Sequence, residues 1–220
     1  MTRPPHQTGT RINTRLLGAL AILLLVPPAA RAADRQPTPP VVLLEENFTT
    51  PLSKDWFWGL GTWATTNGVL RGFESGPRRH GPVKVRKLPL HDAVLECEFR
   101  LEGKATFAGI IFNGSQERGH LFHVVMGRDQ LRLLAHPKKG ETLELLKQPC
   151  ALATGTWHRA QIEFKGPALT AKVDDRVFKA EAPAIAEEKQ TFGLGGESGG
   201  PGGDKAGALE FRKLKISSNP

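Results

Sequence analysis

The reading of GTWHRAQIEFKGPALTAKVDDRVF, residues 155–178, decides the fold. Ala160, Ile162 and Phe164 are apolar, and Gln161 and Glu163 between them are polar. A side-chain period of two belongs to a strand with one face buried. Lys165-Gly166-Pro167 breaks the run, and Leu169, Ala171 and Val173 resume it around Thr170 and Lys172. Asp174-Asp175 is a second turn signal before Val177 and Phe178. Acidic and glycine-containing turns between short alternating runs predict successive antiparallel strands.

The same pattern spreads in both directions. Residues 94–101 place Leu95, Cys97, Phe99 and Leu101 on one face, and Glu96, Glu98 and Arg100 on the other. Residues 41–48, 106–113, 120–126, 130–135, 143–146 and 191–194 read as further strands. Asn67-Gly68 is a hairpin signal, and 127–129 closes a second hairpin. Residues 195–207 are glycine-rich and read as a loop, with no helix pattern after them to make a phosphate cradle. In residues 208–217, Leu209 and Phe211 are in one phase and Leu214 and Ile216 in the other. One strand buries both pairs only with an extra residue, which predicts a β-bulge near Arg212-Lys213. Residues 182–189 allow a helical turn at most. A dozen short strands with Gly/Pro turns make an all-β sandwich of two antiparallel sheets.

The amino terminus is read separately. Arg3, Arg11 and Arg15 precede the apolar run LLGALAILLLV (16–26), and Ala30-Arg31-Ala32 supplies a cleavage site. Residues 1–33 therefore read as a Sec-type signal peptide, too short to span a bilayer. The expected location is secreted or periplasmic, without stable membrane insertion after cleavage. Residues 34–40 form a Pro-rich linker and 41–217 a single domain. The leader holds four arginines and no acid, so its removal takes the formal charge from +8 to +4. That balance does not argue for a nucleic-acid partner. Cys97 and Cys150 are the two cysteines. A disulfide and a buried thiol pair are both open readings.

Several phrases carry a resemblance. They are LEENF (44–48), Trp63, NGVLRG (67–72), LECEFR (95–100), GIIF (109–112) and FRKLKI (211–216). In this order they resemble the 3-keto-disaccharide hydrolase family, within the concanavalin A-like jelly rolls that also include laminin-G domains and family 16 glycosidases. The resemblance implies a concanavalin A-like jelly-roll β-sandwich, a carbohydrate partner and a glycosidic bond as the target. The chain departs from the family at polar positions. Phe107-Ala108-Gly109 replaces Asn-Ser-Gly, Leu121-Phe122-His123 replaces an aromatic-Glu pair, and Lys213 replaces an Asn. Laminin-G-like relatives also imply a calcium option, for which Asp174, Asp175 and Asp204 supply oxygens. No Ca-loop spacing is present, and no cofactor is expected.

Strand parity nominates the site. Taking the strands from 94 to 135 as neighbours, one concave sheet face would display Glu96, Glu98, Arg100, Asn113, His123 and Arg132, with Leu121 also outward. Glycoside hydrolysis wants two carboxylates. Glu98 and Glu96, two apart on one face, are the candidates, with His123 as acid or base. Arg100, Asn113 and Arg132 would position sugar hydroxyls. An aromatic platform covers the apolar face of a pyranose. Trp56 and Trp58 are the candidates, while Trp63 and Trp157 read as packing. A solvated sheet face with cross-strand ion pairs explains the same charges. Three functions follow: a glycoside-cleaving enzyme, a lectin-like binding module, or an envelope or matrix interaction domain without a sugar site.

Overall fold

A computed structural model describes residues 39–76, 80–200 and 203–219. The leader read at residues 1–33, most of the linker, and Arg78 and Arg79 lie outside the described residues. Among the described residues, fifteen strands run in chain order. They are β1 (Val42–Glu46), β2 (Trp58–Leu60), β3 (Thr62–Thr66), β4 (Val69–Phe73), β5 (Val83–Leu90), β6 (Ala93–Gly103), β7 (Phe107–Asn113) and β8 (His120–Gly127). They continue with β9 (Gln130–Ala135), β10 (Leu143–Pro149), β11 (His158–Lys165), β12 (Ala168–Val173), β13 (Arg176–Glu181), β14 (Lys189–Glu197) and β15 (Gly207–Ser218). One helical turn, α1 (Pro183–Ala186), precedes β14.

The strands form two antiparallel sheets. In one, the order is β13-β12-β11-β6-β15-β4-β3, with β1 also paired to β15. In the other it is β10-β9-β8-β7-β14-β5-β2. Residues 155–178 become β11, β12 and β13, joined by the two turns read from sequence. Asp174 in the second turn has φ 51°, a left-handed conformation that Asp tolerates.

Period-two alternation builds the core. Leu95, Cys97, Phe99 and Leu101 of β6 face inward, as do Ala108, Ile110 and Phe112 of β7. Phe112, Phe122 and Phe164 meet between the sheets. Their ring centres are 4.6 to 5.5 Å apart in stacked and edge contacts. Full burial of each such side chain is worth about 1.5–3 kcal/mol. β15 serves both phases because a bulge lies between Arg212 and Lys215, with Lys213 at φ 52°. Leu209, Phe211, Leu214 and Ile216 are all fully buried as a result. Cys97 and Cys150 are buried free thiols, so the disulfide reading is set aside. Burial pushes the Cys97 thiol up to about 12, with the Glu98 charge adding to it. The glycine-rich stretch is a strand for longer than expected. β14 runs on through Gly195 and Gly196 to Glu197.

Among the described residues, Lys189 is the one cation wholly inside this core. Its ammonium donates to the carbonyls of Ile185, at the end of α1, and His91. It stands 4.5 Å from the centre of the Phe164 ring. Burial lowers its pKa from 10.5 to about 8, against the opposing pull of Asp92 and Glu187. The folded chain therefore holds this proton less tightly than the unfolded chain does. Stability should rise as pH climbs from about 8 to 10.5, where only the unfolded lysine is fully protonated. Urea titrations across this range will show that rise in the wild-type protein and a flatter profile in Lys189→Met.

Candidate functional site

The sandwich separates residues that parity alone placed together. β6 lies in one sheet, while β7, β8 and β9 lie in the other. Glu96, Glu98 and Arg100 thus face solvent on the opposite side of the molecule from Asn113, His123 and Arg132. The shared face expected from sequence does not exist, because the chain crosses between sheets after Gly103.

On the β6 side the charged residues are mutually engaged. Glu98 accepts from Arg212 at 2.5 Å and Lys213 at 2.9 Å. Burial pushes its carboxyl upward, but these hydrogen bonds and charges outweigh that and hold it below the usual range. Glu96 accepts from Arg159 and Gln161. Arg100 pairs with Glu210 and Glu102, and the guanidinium groups of Arg100 and Arg212 lie 4.7 and 4.0 Å from the centre of the Trp157 ring. Glu96 and Glu98 border a shallow hollow of about 550 Å³ with Lys213 and Arg159.

The opposite outer face carries a second feature. Across β2, β5, β14, β7 and β8, the register aligns Trp58, Val85, Gly193, Ile111 and His123. Outer-face positions on one strand and its neighbour thus form continuous rows. The next row holds Val83, Gly195, Gly109 and Val125. Glycines at the middle of both rows leave a trough. A Cβ at Gly193 would stand 2.8 Å from Ile111 Cγ2, and one at Gly195 2.7 Å from the Pro82 carbonyl. At Gly109 the nearest atom would be 3.6 Å away, so a side chain there would fit and rise into the trough.

The resulting cavity, about 290 Å³, is lined by Trp58, Val85, Phe107, Ile111, Asn113 and His123, among others, and its lining contains no carboxylate. A second hollow of about 590 Å³ adjoins it through Trp58, Val85, Asn113 and His120, and adds Phe57, Lys87 and Thr191. Trp58 is 47% exposed and Phe57 60%. Both present apolar rings to this groove.

The polar groups of the groove are held in a relay. Asn113 donates its amide N–H to Thr191 Oγ1 at 2.9 Å, which turns Asn113 Oδ1 toward His120 Nδ1 at 2.7 Å. His120, His123 and His136 cluster beside it, with ring centres 4.7 to 5.5 Å apart. Burial lowers the pKa of all three. His123 falls to about 3, from burial first and then from the charges its neighbours would carry. The imidazoles are therefore neutral near pH 7.

A bulge in β8 makes the cluster. Phe112 pairs with Phe122, but Asn113 pairs with His120, which leaves Leu121 as the extra residue. Leu121 and Phe122 are both buried. His120 and His123, three apart, then share the outer face. The outward position expected for Leu121 is corrected by this bulge, and the Leu121 carbonyl accepts from the backbone N–H of His136. The outer-face neighbours of His123 were not legible without it. The available signal was that three of the seven histidines fall between residues 120 and 136.

Two further nominations change. Trp56 is only 4% exposed and packs between Phe48 and Phe192, with its Nε1 donating to Glu46. It plugs the sandwich and offers no ring to a ligand. Arg132 lies on the groove side of the molecule but is engaged with Glu144 at 2.5 Å, outside the cavity lining. Trp63 packs against Phe211 and donates to the Leu60 and Val83 carbonyls, the packing role expected of it. Asp174 is committed to His158 and the Arg159 backbone. Among the described residues, no three His, Cys, Asp or Glu side chains converge on an ion-holding geometry in the rotamers present. No helix among them is long and apolar enough to cross a membrane.

This arrangement is a concanavalin A-like jelly roll, and solved structures share it. The chain is similar to the carbohydrate-binding module CBM66 from Bacillus subtilis, at 14% identity and a TM-score of 0.57, covering 72% of this chain and 92% of that one. It is similar to the β-glucanase of Bacillus licheniformis, at 9% identity and a TM-score of 0.59, covering 84% of this chain and all of that one. Part of a sialidase also matches, at 9% identity and a TM-score of 0.52, over 72% of this chain and 16% of that one. At these identities the likeness is one of fold. No family model and no curated protein sequence matches the chain.

Two measurements check the site. Trp56→Ala should cost about 3–5 kcal/mol in urea unfolding and Trp58→Ala about 0.5 kcal/mol or less, since one ring fills the core and the other faces water. Because folding depresses the His123 pKa from 6.5 to about 3, its contribution is fully present above pH 6.5 and is lost as pH falls toward 3. His123→Gln should therefore lose less stability than wild type between pH 6.5 and 4, by the same titrations.

Proposed function

We propose that this protein is an exported carbohydrate-binding module that holds a glycan in the groove across β2, β5, β14, β7 and β8. The observation that carries the reading is the groove itself. An exposed Trp58 stands beside a glycine-floored trough, with Asn113, Thr191 and His120 fixed at its polar edge. An indole covers the apolar face of a pyranose at little entropic cost, and a few oriented polar groups select hydroxyls. Trp58 is the platform. Asn113 and His120 are the hydroxyl contacts, and His123 forms the wall. The jelly-roll folds of a carbohydrate-binding module and a glucanase support a sugar ligand without specifying it. The leader read at residues 1–33 supports export.

Binding is preferred to cleavage because the cavity lining holds no carboxylate. The two-carboxylate mechanisms need an acid and a base or nucleophile flanking the bond. A hydrolytic reading, the one closest to the 3-keto-disaccharide hydrolase resemblance, keeps one specific support. Glu96 and Glu98 border the same hollow on the other face. There Glu98, held ionised by Arg212 and Lys213, suits a nucleophile or electrostatic role and not a proton donor. His123 has no part in that site, which lies on the other sheet.

Glycan-array screening followed by calorimetry tests the proposal. Binding to neutral oligosaccharides is expected, weakened at least about tenfold by Trp58→Ala, in line with loss of one aromatic contact. Gly109→Leu should abolish it while leaving the fold intact. Binding unchanged in both variants would sink the groove assignment. Turnover of glucosides or 3-keto-glucosides that disappears in Glu98→Gln would transfer the function to the opposite face.

A further inference from the structure

The strongest unexplained feature beside the groove is a set of imidazole nitrogens with nothing to bond. His136 donates Nδ1–H to the Glu141 carbonyl at 2.9 Å, with Thr142 Oγ1 also near, because a carbonyl can only accept. In the neutral ring the proton is then on Nδ1, and Nε2 is a bare lone pair. That Nε2 is buried without a partner, in a residue only 7% exposed. His123 Nε2 is likewise buried without a partner. His120 repeats the arrangement of His136. Thr191 orients the Asn113 amide so that Oδ1 accepts from His120 Nδ1–H, which leaves its Nε2 as a lone pair as well.

Burying a lone pair without a donor is costly, and native structures seldom retain it without a reason. Fixing the tautomer by donation from Nδ1 to a carbonyl oxygen is how metal-binding histidines are oriented. Ring spacing agrees. Imidazoles on a tetrahedral ion at nitrogen distances of about 2.0–2.1 Å have centres roughly 5 Å apart. Here the three pairs of ring centres are 4.7, 5.0 and 5.5 Å apart. A hard, oxygen-seeking cation would find no carboxylate in this lining, whereas imidazole nitrogen suits zinc, nickel and copper.

We infer that His123 and His136, joined by His120 after ring rotation, bind one late first-row divalent ion, with zinc as the reference case. The rotation is required because the three rings do not converge on an ion in their present rotamers. His120 is the most exposed of the three and is held by a single side-chain bond, to Asn113, which the rotation would break. Arg118 donates to the His120 and His136 carbonyls and lies within a bidentate pair with Glu187. Glu187 offsets part of this charge, although Arg118 still acts on His136. His120 and His123 also line the groove, so a fourth position would open toward it.

The untagged protein, stripped with chelator, is titrated with zinc chloride and with nickel chloride in a calorimeter. Imidazole nitrogens are followed in parallel by long-range proton–nitrogen correlation. One equivalent is expected, with the Nε2 signals of His123 and His136 moving together. His136→Gln and His123→Gln should each lose the binding. Circular dichroism reports whether each variant folds, and the wild-type spectra decide the matter if one does not. Absence of binding, or unmoved imidazole signals, would overturn the site and leave the gap to water. Binding that survives in both folded glutamine variants would overturn it too.

Discussion

The interlock of Phe112, Phe122 and Phe164 between the two sheets is the interaction on which the other features depend. Each ring comes from a different strand, and each fixes the inward phase of that strand. Once Phe112 and Phe122 face the core, Ile111 and His123 must face out, since side chains alternate. The groove is thus the reverse side of the core. A shift of one residue in β7 or β8 would bury Asn113 and His123 and expose the phenylalanines, which the apolar area at stake forbids.

Two local irregularities let this rigid alternation carry more than it otherwise could. In β15 the bulge at Lys213 lets one strand bury Leu209 and Phe211 on one side of it and Leu214 and Ile216 on the other. In β8 the bulge at Leu121 does the opposite job. It leaves two consecutive residues buried, and so brings His120 onto the same outer face as His123. Bulges re-aim side chains at the cost of one unpaired residue. Here the exchange yields a continuous core in one sheet and an imidazole cluster in the other.

These two bulges also mark how far the sequence could be read. The one in β15 was legible because both apolar pairs are large and out of phase within one strand. The one in β8 was not, because Leu121, Phe122 and Val124 are all apolar and accept either phase. The positions and inward sets of β6, β7 and β11 followed from alternation alone, whereas β5, where Lys and Arg interrupt the apolar residues, was not read as a strand. Partnership between strands did not. Glu98 and His123 have clear outward parity, yet parity is a property of a strand, and which sheet the strand joins depends on long-range pairing. The Trp56–Trp58 pair shows a smaller version of the same limit. Period two turns both indoles the same way only if the segment is a strand throughout, and β2 begins at Trp58.

The pairing of β1 with the end of β15 has a mechanical consequence. Val42 lies opposite Ser217, and the backbone N–H of Ser218 reaches the Val41 carbonyl at 2.8 Å. The chain therefore enters and leaves the sandwich side by side, on antiparallel strands. Tension applied between its two ends would load these hydrogen bonds in succession, as a zip is opened, and not all together in shear. The first strand would peel away under modest force, while β15 would stay anchored along its other side by β6.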